Sequence, residues 1–174
     1  MINPLKGGPP RTALRRAVLR APIRLYRIGL GGLLGHRMLL LTHTGRVSGR
    51  PRQVVVEVLA PGGRPGSYLI ASGYGERSQW LRNVLAEPCV RYQVGRRKFE
   101  GTAVPLPPEE SGRQLAEYAR RHPRLAAKLM QALGHNPQSR ADFEALGADR
   151  RNGVPLVEVS PHHGTAAGGP ALPG

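Results

Sequence analysis

Apolar residues recur along this chain with two different periods, and the switches between them mark its elements. From Thr12 to about Leu34 they come at intervals of three and four, through Leu14, Val18, Leu19, Ile23, Tyr26 and Leu30, while Arg15, Arg16, Arg20, Arg24 and Arg27 fill the other face. That spacing predicts an amphipathic helix with a basic side. Pro22 kinks or splits it, because the ring removes a helical hydrogen bond. The pattern then tightens. Met38–Thr42 is an apolar run of strand length, and Arg52–Leu59 is a second strand rich in β-branched residues. A turn over Pro61–Gly66 leads into Ser67–Ser72, the hairpin partner of that strand. Gly73–Arg77 reads as a glycine loop, Ser78 as an N-cap and Gln79–Ala86 as a short helix carrying Trp80, Leu81, Val84 and Leu85. Val90–Val94 and Lys98–Val104 form a hairpin around Gly95–Arg97. Pro107 opens a helix running to about Arg121, with Glu109 and Glu110 in the first turn, where the helix dipole favours acids. Pro123–Leu133 is helical and ends at Gly134, Ser139–Leu146 adds a short turn of helix, and Pro155–Ser160 is a last strand.

This order predicts a mainly β domain with α: a small barrel closed by its final strand, with helices over its ends. Residues 1–10 read as a flexible lead, 11–35 as the basic helix, 36–160 as the barrel domain and 161–174 as a disordered tail rich in Gly and Pro. No internal repeat is visible, and 174 residues fit one domain with a real core.

Charge narrows the partner class. The formal net charge is +15, and no acidic residue precedes Glu57. The same stretch carries Lys6, Arg11, Arg15, Arg16, Arg20, Arg24, Arg27, Arg37, Arg46, Arg50 and Arg52. The expected partner is therefore anionic: a phosphate-bearing cofactor, a nucleic acid or an acidic lipid. Residues 12–34 could make peripheral contact with an acidic membrane. Nucleic acid is the weaker expectation, since the aromatic fraction is only 5% and neither helix-turn-helix nor zinc-ligand spacing occurs. The longest apolar stretch, Ile28 to Gly35, is too short to span a bilayer, and no secretory signal is visible, so the expected location is cytoplasmic. The lone cysteine, Cys89, opens an apolar alternation and reads as a small buried hydrophobe.

Two segments carry candidate chemistry. Thr42-His-Thr-Gly-Arg-Val-Ser-Gly-Arg-Pro-Arg52 joins two strands. Its glycines permit a tight turn and a close ligand approach, successive backbone N–H groups of such a turn can form an anion nest, and Thr44, Ser48, Arg46, Arg50 and Arg52 add hydroxyl and guanidinium donors. The spacing matches neither a P-loop nor a dinucleotide-binding fingerprint, and a plain basic hairpin loop remains the alternative. Ala71-Ser-Gly-Tyr-Gly75, followed by Gln79, Trp80 and Asn83, offers glycine-flanked backbone to a flat ligand. Tyr26, Tyr74 and Tyr118 are candidates to line an acceptor pocket or donate a proton, although core or rim packing is the commoner role for each. His36 and His43, which flank the first strand, read as structural, and no metal-ligand spacing is present.

Leu-Leu-Leu-Thr-His-Thr-Gly-Arg-Val-Ser-Gly-Arg-Pro-Arg, then Ala-Ser-Gly-Tyr-Gly, then Trp-Leu-Arg-Asn-Val-Leu-Ala-Glu-Pro, then Val-Gly-Arg-Arg-Lys-Phe, over residues 38–104, resemble the deazaflavin-dependent nitroreductase and quinone-reductase family. The closing Val154-Pro-Leu-Val-Glu-Val is similar to that family's end. The resemblance implies a split β-barrel of the FMN-binding type and the reduced deazaflavin coenzyme F-420, with FMN the less favoured cofactor. It implies Gly45, Arg46, Ser48, Gly49, Arg50 and Pro51 at the anionic tail and phosphate, helped by Thr44 and Arg52. It implies Ala71, Ser72, Gly73, Trp80 and Asn83 around the ring. Val47 stands where many members carry Lys, and the loop over residues 73–79 looks shorter than in nitroimidazole-activating members. The expected activity is hydride transfer to an electron-poor small molecule such as a quinone, enone or nitro compound, by a monomer or homodimer. The alternatives are a basic binding module for nucleic acid or acidic membrane, and a split barrel that uses FMN or stores cofactor without turnover.

Overall fold

The structure is a computed structural model that describes residues 35–162; the basic N-terminal helix expected from the sequence, Tyr26 and most of the tail lie outside the described residues. Six strands, β1 (Met38–Thr44), β2 (Pro51–Pro61), β3 (Tyr68–Ala71), β4 (Cys89–Val94), β5 (Arg97–Pro105) and β6 (Leu156–Pro161), close into one barrel in the order β1-β2-β3-β6-β5-β4. Every neighbouring pair is antiparallel. The last strand completes the ring between β3 and β5.

Side-chain alternation decides what the barrel encloses. Leu39 and Leu41 of β1 point inward with their register neighbours Val56 and Val54 of β2 and Val94 and Tyr92 of β4. Tyr92 stacks on Phe99 at 5.0 Å between centroids, and Tyr68 meets both rings edge-on. The Tyr92 hydroxyl leaves this apolar cluster by donating to the Gly66 carbonyl at 2.8 Å. The same alternation turns Cys89, Arg91 and Gln93 outward while Val90, Tyr92 and Val94 go in. Cys89 is therefore exposed, not buried as its apolar neighbours suggest; its thiol is pushed up chiefly by a hydrogen bond with, and the charge of, Glu87.

Four helices complete the domain: α1 (Gln79–Ala86), α2 (Pro108–Arg121), α3 (Pro123–Leu133) and α4 (Arg140–Ala148). α1 stoppers one end of the barrel, with Trp80, Leu81 and Val84 inside the same apolar cluster as Leu39 and Leu41. The other three pack outside, where Leu59 and Leu156 form a second cluster with Leu115, Tyr118, Ala126 and Met130. Ser111 binds this layer together: its hydroxyl donates to the Gly147 carbonyl at 2.6 Å and accepts the Leu156 N–H at 2.9 Å. Expected helix signals hold in kind with shifted details. Ser139 heads a helix of 9 residues through a reciprocal capping box with Asp142. Ser78 precedes α1 but makes no cap bond, because its hydroxyl is turned to Ser72. No helix among the described residues is long and apolar enough to cross a membrane.

Candidate functional site

The loop between β1 and β2 is held from within. Gly45 N–H donates to the Arg50 carbonyl at 2.9 Å, and Gly49 N–H donates to the Gly45 carbonyl at 2.7 Å. Gly49 sits at φ 64°, where a side chain is disfavoured, so the turn depends on glycine there. Ser48 Oγ accepts the Arg50 N–H at 3.3 Å. Thr44 and Pro51 pair across the mouth of the loop, and His43 pairs with Arg52. Val47 is at the tip, 91% exposed. The backbone N–H groups of Val47 and Ser48 have no protein partner among the described residues. Neither do the guanidinium groups of Arg46, Arg50 and Arg52 have a carboxylate partner among them.

The loop is then clamped to α1. Asn83 Oδ1 accepts both the Arg46 backbone N–H, at 3.2 Å, and Arg46 Nη1, at 2.9 Å. Gln79 Oε1 accepts Arg46 Nη2 at 3.0 Å. Asn83 is 5% exposed, and its amide nitrogen lies 3.1 Å from Nδ1 of His43, which is equally buried. Two donors on the Arg46 side fix the amide oxygen there, so Asn83 Nδ2 is the donor toward His43 and the ring's Nδ1 is the acceptor. This arrangement suits a neutral His43 with its proton on Nε2. Burial lowers its pKa first, hydrogen bonding to the Thr44 backbone raises it, and the Arg52 charge lowers it again.

The second glycine segment is knitted into the barrel end. Ser72 is fully buried: its N–H donates to the Pro155 carbonyl at 3.0 Å, and its hydroxyl lies 3.0 Å from the Gly75 carbonyl and 2.9 Å from Ser78 Oγ. Ala71 pairs with Leu156. Gly73 has no open face here, since a Cβ on it would lie 2.5 Å from Leu133 Cδ2, and one on Gly75 would lie 2.5 Å from the Arg151 carbonyl oxygen. Small residues are required in this segment because protein atoms of α3 and of residues 150–151 approach it. Tyr74 is half-buried beside them. Trp80 packs inside the barrel cluster.

The structure therefore gathers Gly45, Arg46, Asn83, Gln79 and His43 into one bonded group, with the Arg50 and Arg52 guanidinium groups at its edge without a carboxylate partner among the described residues. It sets Tyr118 apart. That ring is near Glu57, which pairs with Met38 at the opposite end of the β1–β2 ladder from the Thr44–Pro51 pair. Six steps along a strand separate those ends by about 20 Å. Burial, helped by Glu57, pushes the Tyr118 hydroxyl up to about 12, and it has no hydrogen-bond partner among the described residues. Gln79, read as part of the second segment, joins the loop's clamp instead, and His43 is the member that motif reading left out of the site. For His43 the signal was its phase: it falls two residues after Leu41 and four after Leu39, the inward positions of β1.

Comparison with known proteins relates the chain to a family. The family model described as F420H(2)-dependent quinone reductase matches residues 20–132. An F420H(2)-dependent quinone reductase of Mycobacterium tuberculosis strain H37Rv is 34% identical over 102 residues, covering 53% of this chain and 66% of that protein. A putative F420H(2)-dependent quinone reductase of Mycobacterium bovis matches to the same extent. The alignment thus spans slightly less than two thirds of either relative. Among solved structures, a protein of unknown function from Agrobacterium tumefaciens superposes with a TM-score of 0.50 at 18% identity, over 88% of this chain and 59% of that one. A domain-swapped dimer superposes with a TM-score of 0.50 at 21% identity, over 85% of this chain and 100% of that one. These two likenesses concern the fold alone. With the motif-bearing loop, its clamp and the match over residues 20–132 together, the chain belongs to the F420H(2)-dependent quinone reductase family.

Proposed function

We propose that this protein binds reduced coenzyme F-420 and reduces an electron-poor small molecule, a quinone first among them. The carrying observation is the clamped loop: Arg46 is fixed by Asn83 and Gln79, while among the described residues the Arg50 and Arg52 guanidinium groups have no carboxylate partner and the Val47 and Ser48 N–H groups stay unpaired. The donor set fits an anionic tail. Each charge-assisted hydrogen bond to phosphate or carboxylate is worth roughly 1.5–3 kcal/mol when shielded from water, and the loop offers several without first breaking a salt bridge. Thr44, Gly45, Arg46, Ser48, Gly49, Arg50, Pro51 and Arg52 would hold the tail and phosphate. Ala71, Ser72, Gly73, Trp80 and Asn83 would hold the ring portion, which requires the Leu133 side chain to yield its place against Gly73. When bound, the reduced deazaflavin supplies the hydride. The protein's own residues bind and orient it, and the family relation favours a quinone acceptor. Tyr74, half-buried beside the second glycine segment, would line the acceptor side.

Trp80 is the only tryptophan, so titration of the full chain with reduced and oxidised F-420 under anaerobic conditions, read by tryptophan fluorescence, tests binding directly. Saturable quenching is expected, followed by loss of the reduced cofactor on adding a soluble naphthoquinone. No quenching and no shift in melting temperature would overturn the proposal. Saturable quenching by FMN alone would transfer the site to a flavin.

A further inference from the structure

His43 lies behind the loop, where it contacts Asn83 and pairs in register with Arg52. That contact bears on the side chain that, together with Gln79, ties the loop to α1. Asn83 can present its oxygen to Arg46 or to the histidine, and a 180° turn of the amide exchanges the two. In the observed arrangement its Nδ2 is 3.1 Å from His43 Nδ1, and its Oδ1 receives the Arg46 backbone and guanidinium donors at 3.2 and 2.9 Å. The reversed amide would set its NH₂ against both Arg46 donors. An imidazole with a bare Nδ1 suits only the observed state, whereas an Nδ1–H would oppose it. The ring has no room to avoid the choice, being 5% exposed on the inward face of β1.

We propose that His43 is a positioning residue: held as the Nε2–H tautomer, it orients the Asn83 amide so that Arg46 and the Gly45–Arg50 turn stay in the anion-receiving shape. The proposal rests on the reading of that turn as the cofactor's anion site. It adds a built-in sensitivity to acid. Protonated His43 would carry Nδ1–H against Asn83 Nδ2, two donors facing each other, and the amide would have to let go of either the ring or Arg46. The charged groups around the ring are Arg52, its register partner on β2, and Arg46 beyond Asn83. α1 presents the uncharged Asn83, and no carboxylate contributes to holding a proton on the ring. The surroundings therefore resist protonation, and the loop keeps its shape until the solution is distinctly acidic.

The test uses the full-length protein and has two arms. Without cofactor, long-range ¹⁵N–¹H correlation spectra of the histidines report the His43 tautomer, and hydrogen exchange reports protection of the Arg46 amide. The proposal expects Nε2–H at neutral pH, and Arg46 exchange about tenfold faster in His43→Leu, the loss of one hydrogen bond, with partial recovery in His43→Gln, whose side-chain oxygen can accept the Asn83 amide. With cofactor, His43→Leu should raise the KM for reduced F-420 about tenfold with kcat within twofold. It should also abolish the weakening of wild-type cofactor binding at acid pH. An Nδ1–H tautomer in the wild type, or a folded His43→Leu protein with unchanged Arg46 protection, overturns the proposal. Should His43→Leu fail to fold, the wild-type tautomer still decides. Should F-420 not bind the wild type at all, the functional reading fails while the cofactor-free arm still judges His43.

Discussion

Replacing Asn83 by alanine removes three hydrogen bonds at once, and their unequal surroundings set the size of the effect. The guanidinium of Arg46 is exposed, so water replaces its lost partner and that bond contributes about 0.5 kcal/mol or less. The Arg46 backbone N–H is half-sheltered, for about 1 kcal/mol. His43 Nδ1 is buried and left without a donor, for about 1–2 kcal/mol. The sum, about 2–3 kcal/mol, corresponds to a fall in melting temperature of roughly 4–12 °C for a chain of this size. Asn83→Asp separates the parts. The carboxylate keeps both Arg46 donors but faces the lone pair of neutral His43, and protonating the ring relieves this. His43 then has a folded pKa above its unfolded value of about 6.5. Its stabilising contribution is full below about pH 6.5 and is lost as pH rises through the raised folded value. The parent behaves oppositely: its His43 pKa is lowered on folding, so it holds its stability above about pH 6.5 and loses it as pH falls toward the folded value. Urea denaturation at pH 5.5, 7 and 8.5 follows both trends. An Asn83→Ala protein melting with the parent, or an Asn83→Asp protein sharing the parent's pH profile, would refute the chain of bonds from His43 to Arg46.

Three further outcomes are expected. Arg50→Ala and Arg52→Ala should each weaken F-420 binding about tenfold and flatten its dependence on salt, measured by the tryptophan titration from 50 to 300 mM NaCl. Gly73→Val should lose about 1–3 kcal/mol through overpacking against Leu133, and pairing it with Leu133→Ala should return part of that loss in a double-mutant cycle of melting curves. Cys89 should react slowly with iodoacetamide at pH 8 despite its exposure. Glu87→Gln should speed alkylation, because removing the charge lets the thiol pKa fall and raises the thiolate fraction.

Local pattern made most of the barrel legible. Val54, Val55, Val56 and Val58 announce a strand, Gly95 marks a hairpin, and the apolar run at the end of the chain is the strand that closes the ring. Phase within a strand was also readable: taking Val90, Tyr92 and Val94 as inward turns Cys89 to solvent, and taking Leu39 and Leu41 as inward buries His43. What stayed hidden depends on register and on which end of the barrel a helix covers. Arg46 and Asn83 are 37 residues apart, and nothing in either neighbourhood marks the other as partner. Likewise Gly73 carries no sign that Leu133 fills the space beside it, because that contact forms only once α3 packs against the outside of the barrel.

α1 occupies the mouth of the barrel with its apolar side and grips the basic turn with Gln79 and Asn83. One short segment of eight residues therefore serves as both cork and clasp. Both roles share one helix, so withdrawing Trp80, Leu81 and Val84 from the barrel should also loosen the Asn83 grip on Arg46. Nascent or partly unfolded chains should consequently lack the ligand-ready turn, and ligand capture should add its binding energy to the whole β-structure.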